Sequence, residues 1–107
     1  MLSDEYRYKI LRLLEENPEL SQRDLADRLG VSLGKANYCL QALIRVGMVK
    51  ARNFRNSRNR TAYLYVLTPR GLSAKARAAT RFLKLKVEQY EALQREIEAL
   101  KREGLGR

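Results

Sequence analysis

The stretch Ser21-Gln22-Arg23-Asp24-Leu25-Ala26-Asp27-Arg28-Leu29-Gly30-Val31-Ser32-Leu33-Gly34-Lys35-Ala36-Asn37-Tyr38-Cys39-Leu40 contains two helix starts separated by a single turn. Ser21 and Asp24 stand at the spacing of a reciprocal cap, in which the hydroxyl takes the third helical N–H and the acid returns to the cap N–H. Leu25, Ala26 and Leu29 give this helix, expected over about Gln22 to Leu29, its apolar side. Gly30 stands just past the end, where a left-handed residue is needed. Ser32 caps the next helix, which should run to about Val46 and stop at Gly47 with Ala36, Cys39, Leu40 and Leu43 buried. Small residues at a helix crossing and a glycine in the turn are what a helix–turn–helix requires. Lys35, Asn37, Tyr38, Gln41 and Arg45 fall largely on the other side, which is basic and amide-rich.

Working outward, residues 4–16 read as a helix capped by Ser3 or Asp4, with Tyr6, Ile10, Leu13 and Leu14 toward a core and Asn17-Pro18 as its end. Downstream the period changes to two. Val49-Lys50-Ala51-Arg52 alternates as a half-buried strand, and Ala62 to Thr68 reads as its return. Between them Arg55-Asn56-Ser57-Arg58-Asn59-Arg60 makes a polar hairpin tip. Thr68-Pro69 opens a last helix, with Thr as cap and Pro at the first helical position. The next glycine is Gly104, which predicts about 35 residues and roughly 52 Å. Leu72, Ala76, Ala79, Leu83, Lys86, Tyr90, Leu93, Ile97 and Leu100 keep a 3/4 spacing along it, the a and d positions of a heptad. The small entries from Leu72 to Leu83 can serve the domain core. Tyr90, Leu93, Ile97 and Leu100 lie beyond its reach and need a partner, so Leu83, Tyr90, Leu93, Ile97 and Leu100 are read as a dimerisation seam. Lys86 is expected to snorkel at the seam edge, and strand orientation stays open. The expected fold is mostly α with a small β-hairpin, a winged helix–turn–helix over residues 1–68 and a long C-terminal dimerisation helix, a coiled coil, over 69–107.

Charge sharpens this. The 107 residues carry a formal charge of +10, unevenly spread. From Arg28 to Val87 there are 14 bases and no acid, while residues 1–27 and 88–107 are slightly acidic. The chain has no histidine and one cysteine, so His general bases, His metal ligands, intrachain disulfides and Cys-based zinc sites are excluded. The acid-free block has no carboxylate pair and no Mg²⁺ ligand, which argues against an enzyme, a metal and a cofactor. The N-terminus lacks a signal pattern and no apolar run reaches the ~18–20 residues of a membrane span. A cytoplasmic protein with a polyanionic partner is expected. Gly30-Val31-Ser32-Leu33-Gly34-Lys35-Ala36 is one residue short of a phosphate-binding loop and has Ala where Ser or Thr must reach Mg²⁺.

Three helices, a hairpin and a following helix give the element order of a winged helix–turn–helix. The segments Ser21 to Ser32 and Leu67-Thr68-Pro69-Arg70-Gly71 resemble the MarR-type transcriptional regulators. The run from Arg52-Asn53-Phe54-Arg55-Asn56-Ser57 through Tyr63-Leu64-Tyr65 to the Glu-Ala-Leu repeats resembles the small MarR regulators associated with bacterial exopolysaccharide gene clusters. The resemblance implies DNA-binding transcription control as a homodimer, with the helix after Ser32 as recognition helix and the Arg55–Arg60 loop as wing. Two features depart from it. Typical members carry an extra N-terminal dimerisation helix, whereas this chain starts at the first core helix, so the resemblance is not extended to a small-molecule effector pocket. The usual acidic residue of the wing is also missing.

A recognition helix presents its first turns to base edges. Lys35, Asn37, Tyr38 and Gln41 are therefore the base-reading candidates, since Asn and Gln suit adenine and Lys suits guanine; Ser32 and Gly34 at the start of the helix belong to the DNA-binding set, Gly34 because it would let the backbone approach DNA closely. Ser21, Gln22 and Arg23 open the preceding helix at an N-terminus that favours phosphate. Arg52, Arg55, Asn56, Arg58 and Arg60 suit the backbone or a narrow minor groove. Cys39 and the pair Tyr63 and Tyr65 read first as packing residues. The leading expectation is a sequence-specific regulator on double-stranded DNA with a (pseudo)palindromic site. The alternatives are a winged helix that binds structured RNA or DNA without sequence preference, and an interaction scaffold working through its coiled coil.

Overall fold

The computed structural model describes residues 3–55 and 61–105, with the backbone alone at 54, 55, 61 and 62. Its elements follow the expected order: α1 (Asp4–Glu16), α2 (Gln22–Leu29), α3 (Leu33–Arg45), β1 (Val49–Arg55), β2 (Thr61–Leu67) and α4 (Pro69–Leu105).

The starts of the first three helices are set by serine caps. Ser3 accepts from the Tyr6 N–H, Ser21 from Asp24, and Ser32 from Lys35, at 3.0 to 3.2 Å. The Asp24 carboxylate returns to the Ser21 N–H at 3.2 Å, completing the reciprocal cap. The Ser21 hydroxyl and then the Ser21 N–H, acting on the carboxylate itself, hold the Asp24 carboxyl below the usual aspartate range. Gly30 closes α2 at φ +69°, in the left-handed region that favours glycine.

The core lies where α1, α2, α3, the hairpin base and the first turns of α4 meet. Ile10, Leu11, Leu14, Leu25, Leu40, Leu43 and Val49 are essentially sealed. On α1, Leu11 is buried where Leu13 had been expected to be, and Leu13 and Tyr6 are only half-buried. β1 and β2 pair antiparallel, Val49 opposite Leu67 and Arg55 opposite Thr61. Tyr65 is buried, and its N–H donates to the Pro18 carbonyl at 3.0 Å, which ties the hairpin to the turn after α1.

α4 differs from the sequence reading in two ways. It continues through Gly104 to Leu105, 37 residues or about 55 Å, because nothing in the last turn supplies a left-handed stop. More importantly, the stripe Leu72, Ala76, Ala79 and Leu83 does not serve the core. The buried positions are Gly71, Ala74 and Ala78, more than a third of a turn round the helix, while Leu72 is 47% and Leu83 63% exposed. Small residues win the inner face because α4 lies close against its neighbours. A Cβ added at Gly71 would overlap the Met48 carbonyl. Thr68 caps the helix by accepting from the Gly71 N–H at 3.0 Å, so Leu67-Thr68-Pro69-Arg70-Gly71 is the joint between wing and long helix.

The inner side of α4 is fastened to α1. Tyr8 and Phe82 stack at 6.0 Å, Lys75 pairs with Glu15, and Arg81 pairs with Asp4 at 3.1 Å. Lys86 lies over the Phe82 ring at 5.1 Å. Several bases of the acid-free block are thus engaged within the molecule. Beyond Phe82 every described residue of α4 is exposed, giving an extended body of 70 × 27 × 22 Å.

Candidate nucleic-acid interface

α3 presents one face outward because its other face is filled by Ala36, Cys39, Leu40 and Leu43. Gly34, Asn37, Tyr38, Gln41 and Arg45 recur at 3/4 spacing and share the outward side with Leu33. Tyr38 is 63% exposed and Asn37 is half-buried. The face holds hydrogen-bonding groups of both kinds, one guanidinium and no acid. Gly34 has open space around the position of a Cβ and an ordinary helical backbone, so packing gives no reason for a glycine there.

Lys35 is turned away from this group. Its ammonium lies 4.6 Å over the Tyr6 ring, a cation–π contact with α1. Ser32 spends its hydroxyl on the Lys35 N–H. Leu33 belongs to the outward face without having been placed there from sequence, and Arg45, which was placed there, was not named among the DNA-binding candidates. The signal for Leu33 was available, since it stands four residues before Asn37.

The start of α2 faces the same side. Ser21, Gln22 and Arg23 line a cavity of about 400 Å³ together with Glu19, Leu33, Tyr63 and Tyr65. Gln22 donates to the Tyr65 hydroxyl at 3.4 Å, and the Tyr63 and Tyr65 rings stack at 6.1 Å. Tyr65 is a packing residue, whereas Tyr63 is 56% exposed on the strand surface. The structure therefore brings Ser21, Gln22 and Arg23 beside the first turn of α3. Arg52 is exposed on β1. Asn56, Arg58 and Arg60 lie outside the described residues, as does the Arg55 side chain.

Cys39 sits under α3 at 4% exposure, and burial pushes its thiol pKa up, against the opposing charge of Lys35. That is the opposite of what a thiolate sensor needs. Among the described residues no three His, Cys, Asp or Glu side chains come together as a metal site, and no helix is long and apolar enough to cross a membrane.

Comparison with known proteins agrees with this geometry. A family model for winged helix–turn–helix DNA-binding domains matches residues 3–50. Among solved structures, the chain is similar to a MarR-family protein of Mycobacterium tuberculosis in complex with salicylic acid, at 26% identity and TM-score 0.59, over 89% of this chain and 75% of that one. It is also similar to the adhesin competence repressor AdcR of Streptococcus pyogenes, at 20% identity and TM-score 0.64, over 91% and 73% of the two chains. A third is the PcaV transcriptional regulator of Streptomyces coelicolor, at 21% identity and TM-score 0.63, over 95% and 79%. No curated protein matches the chain.

Proposed function

We propose that this winged helix–turn–helix chain, similar to the MarR-family protein of Mycobacterium tuberculosis and sharing the fold of other MarR-type regulators, is a sequence-specific transcriptional regulator of that type acting as a homodimer on a (pseudo)palindromic DNA site. The observation that carries this reading is the outward face of α3. Asn37, Tyr38 and Gln41 stand exposed or half-exposed around an uncrowded Gly34, next to the start of α2 and without an acid among them. Asn and Gln side chains can each pair with both edge groups of adenine in the major groove. Gly34 lets the backbone of the first turn come close to the duplex. Ser21, Gln22 and Arg23 suit a flanking phosphate, and Arg52 with Arg55, Asn56, Arg58 and Arg60 suits the backbone or minor groove beyond. Lys35 enters this scheme by leaving Tyr6 when DNA arrives.

Dimerisation is assigned to the exposed stripe of α4, where Leu83, Tyr90, Leu93, Ile97 and Leu100 are each at least 42% exposed. A lone helix does not keep such a stripe in water. The resemblance of wing and tail to the exopolysaccharide-associated regulators supports genes of that class as the target. The work asked of these residues is recognition, with no catalytic step, and the setting is the cytoplasm. Selection of bound sequences from a random DNA pool tests the reading. A pool that converges on an inverted repeat supports it; a pool that stays random while binding remains tight overturns it in favour of a reader of nucleic-acid shape.

A further inference from the structure

We propose that α4 pairs with α4 of a second copy in antiparallel orientation, with the two-fold axis beside residue 88. This deepens the homodimer reading and rests on it. Three observations carry it: where the stripe lies, how charge is divided along the helix, and how side-chain size is divided along the seam.

Leu72, Ala76 and Leu83 are exposed and Ala79 is half-buried, so the stripe is accessible from the first turn of α4 to Leu100. The partner's tail can therefore lie beside the body instead of only beyond it. Charge then selects the direction. From Pro69 to Lys86 the helix has six bases and no acid; from Glu88 to Leu105 it has five acids and three bases. Antiparallel pairing sets each basic half beside an acidic half. Parallel pairing sets six bases beside six, with Lys86 facing Lys86 inside the seam, and gains only a Glu96–Lys101 pair at flanking positions.

Size selects the register. The seam is small near the body and large in the tail. With the axis beside residue 88, Ala76 meets Leu100 of the partner subunit, Ala79 meets Ile97 of the partner subunit, and Leu83 meets Leu93 of the partner subunit. Each alanine of the seam then faces a large aliphatic side chain, so no layer is left with two alanines, as close packing requires. Lys86 meets Tyr90 of the partner subunit and lays its stem along the ring. The ammonium of Lys86 is already turned out of the seam onto Phe82. Val87 meets its own copy at the axis. In parallel register the Ala76 and Ala79 layers would be underfilled. The bodies attach through Gly71 to Phe82, so antiparallel pairing separates their attachment points by about 33 Å along the helices.

Electron–electron double resonance on full-length protein tests this, with a spin label on Arg102→Cys in a Cys39→Ala background. Residue 102 is exposed and faces away from the seam. The expected label distance is about 42 Å or more, against under about 30 Å for a parallel pair. A short distance from a dimer overturns the antiparallel assignment and leaves the dimer standing. A monomeric mass with no dipolar coupling overturns both.

Discussion

At the residue scale, Gly34 separates folding from recognition. Nothing crowds its Cβ position, and alanine is the better helix former, so Gly34→Ala should hold or raise stability by up to about 1 kcal/mol. In the proposed complex the same methyl would stand where the first turn of α3 meets DNA, and it should weaken binding to the selected site. Urea unfolding set beside binding isotherms checks this; equal losses in both would place Gly34 in the fold instead of the interface. Cys39 makes the reverse case. Its buried, raised-pKa thiol should react with a maleimide far more slowly in native protein than in unfolded chain at pH 8, and fast native labelling would reopen a sensor role. Both residues were legible from sequence, because caps, turn glycines and a helical stripe are local signals. Lys35 was legible only in part. Spacing put it at the border of the outward face, and its contact with Tyr6 depends on how α1 crosses α3, which no local pattern states.

At the element scale, α4 carries two faces more than a third of a turn apart, and the sequence revealed only one of them. Leu72, Leu83, Leu93 and Ile97 announce themselves by hydrophobicity. The inner face of Gly71, Ala74 and Ala78 does not, because what qualifies it is small size against a close neighbour. The charged rim was unreadable for a similar reason: Lys75 and Arg81 find Glu15 and Asp4 about 60 and 77 positions away. Substitution tells the faces apart. Ala78 is fully buried, so Ala78→Leu overpacks the α1–α4 contact and should cost about 1–3 kcal/mol in chemical denaturation. Ala76 is exposed, so Ala76→Leu should leave unfolding of the body within about 0.5 kcal/mol and act on dimer affinity alone. If both cost the same, the assignment of faces is wrong.

At the scale of the whole molecule, charge and length act together. α1 acids answer Lys75 and Arg81 of α4, while α3 and the hairpin carry bases and no acid, so these are the bases the proposed complex offers to DNA. Phosphate contacts by these residues release counterions, so affinity should fall at least about a hundredfold between 50 and 200 mM salt. An isotherm insensitive to salt would deny the polyanion. Length enters through the dimer. Attachment points about 33 Å apart come close to one turn of B-DNA, which matches half-sites centred about 10 base pairs apart. Removing residues 87–107 tests both ideas at once. The contacts of α4 with the body end at Phe82, so the shortened chain should fold. In an antiparallel seam the deletion takes Tyr90, Leu93, Ile97 and Leu100, one member of every layer, and no dimer survives. Sedimentation should then give a monomer, and affinity for the full site should drop by about 10²–10⁴ as the second contact ceases to be intramolecular. Footprinting should still find one protected half-site of unchanged sequence. A truncated chain that remains dimeric would place the seam in the retained Leu72–Leu83 segment and favour parallel pairing.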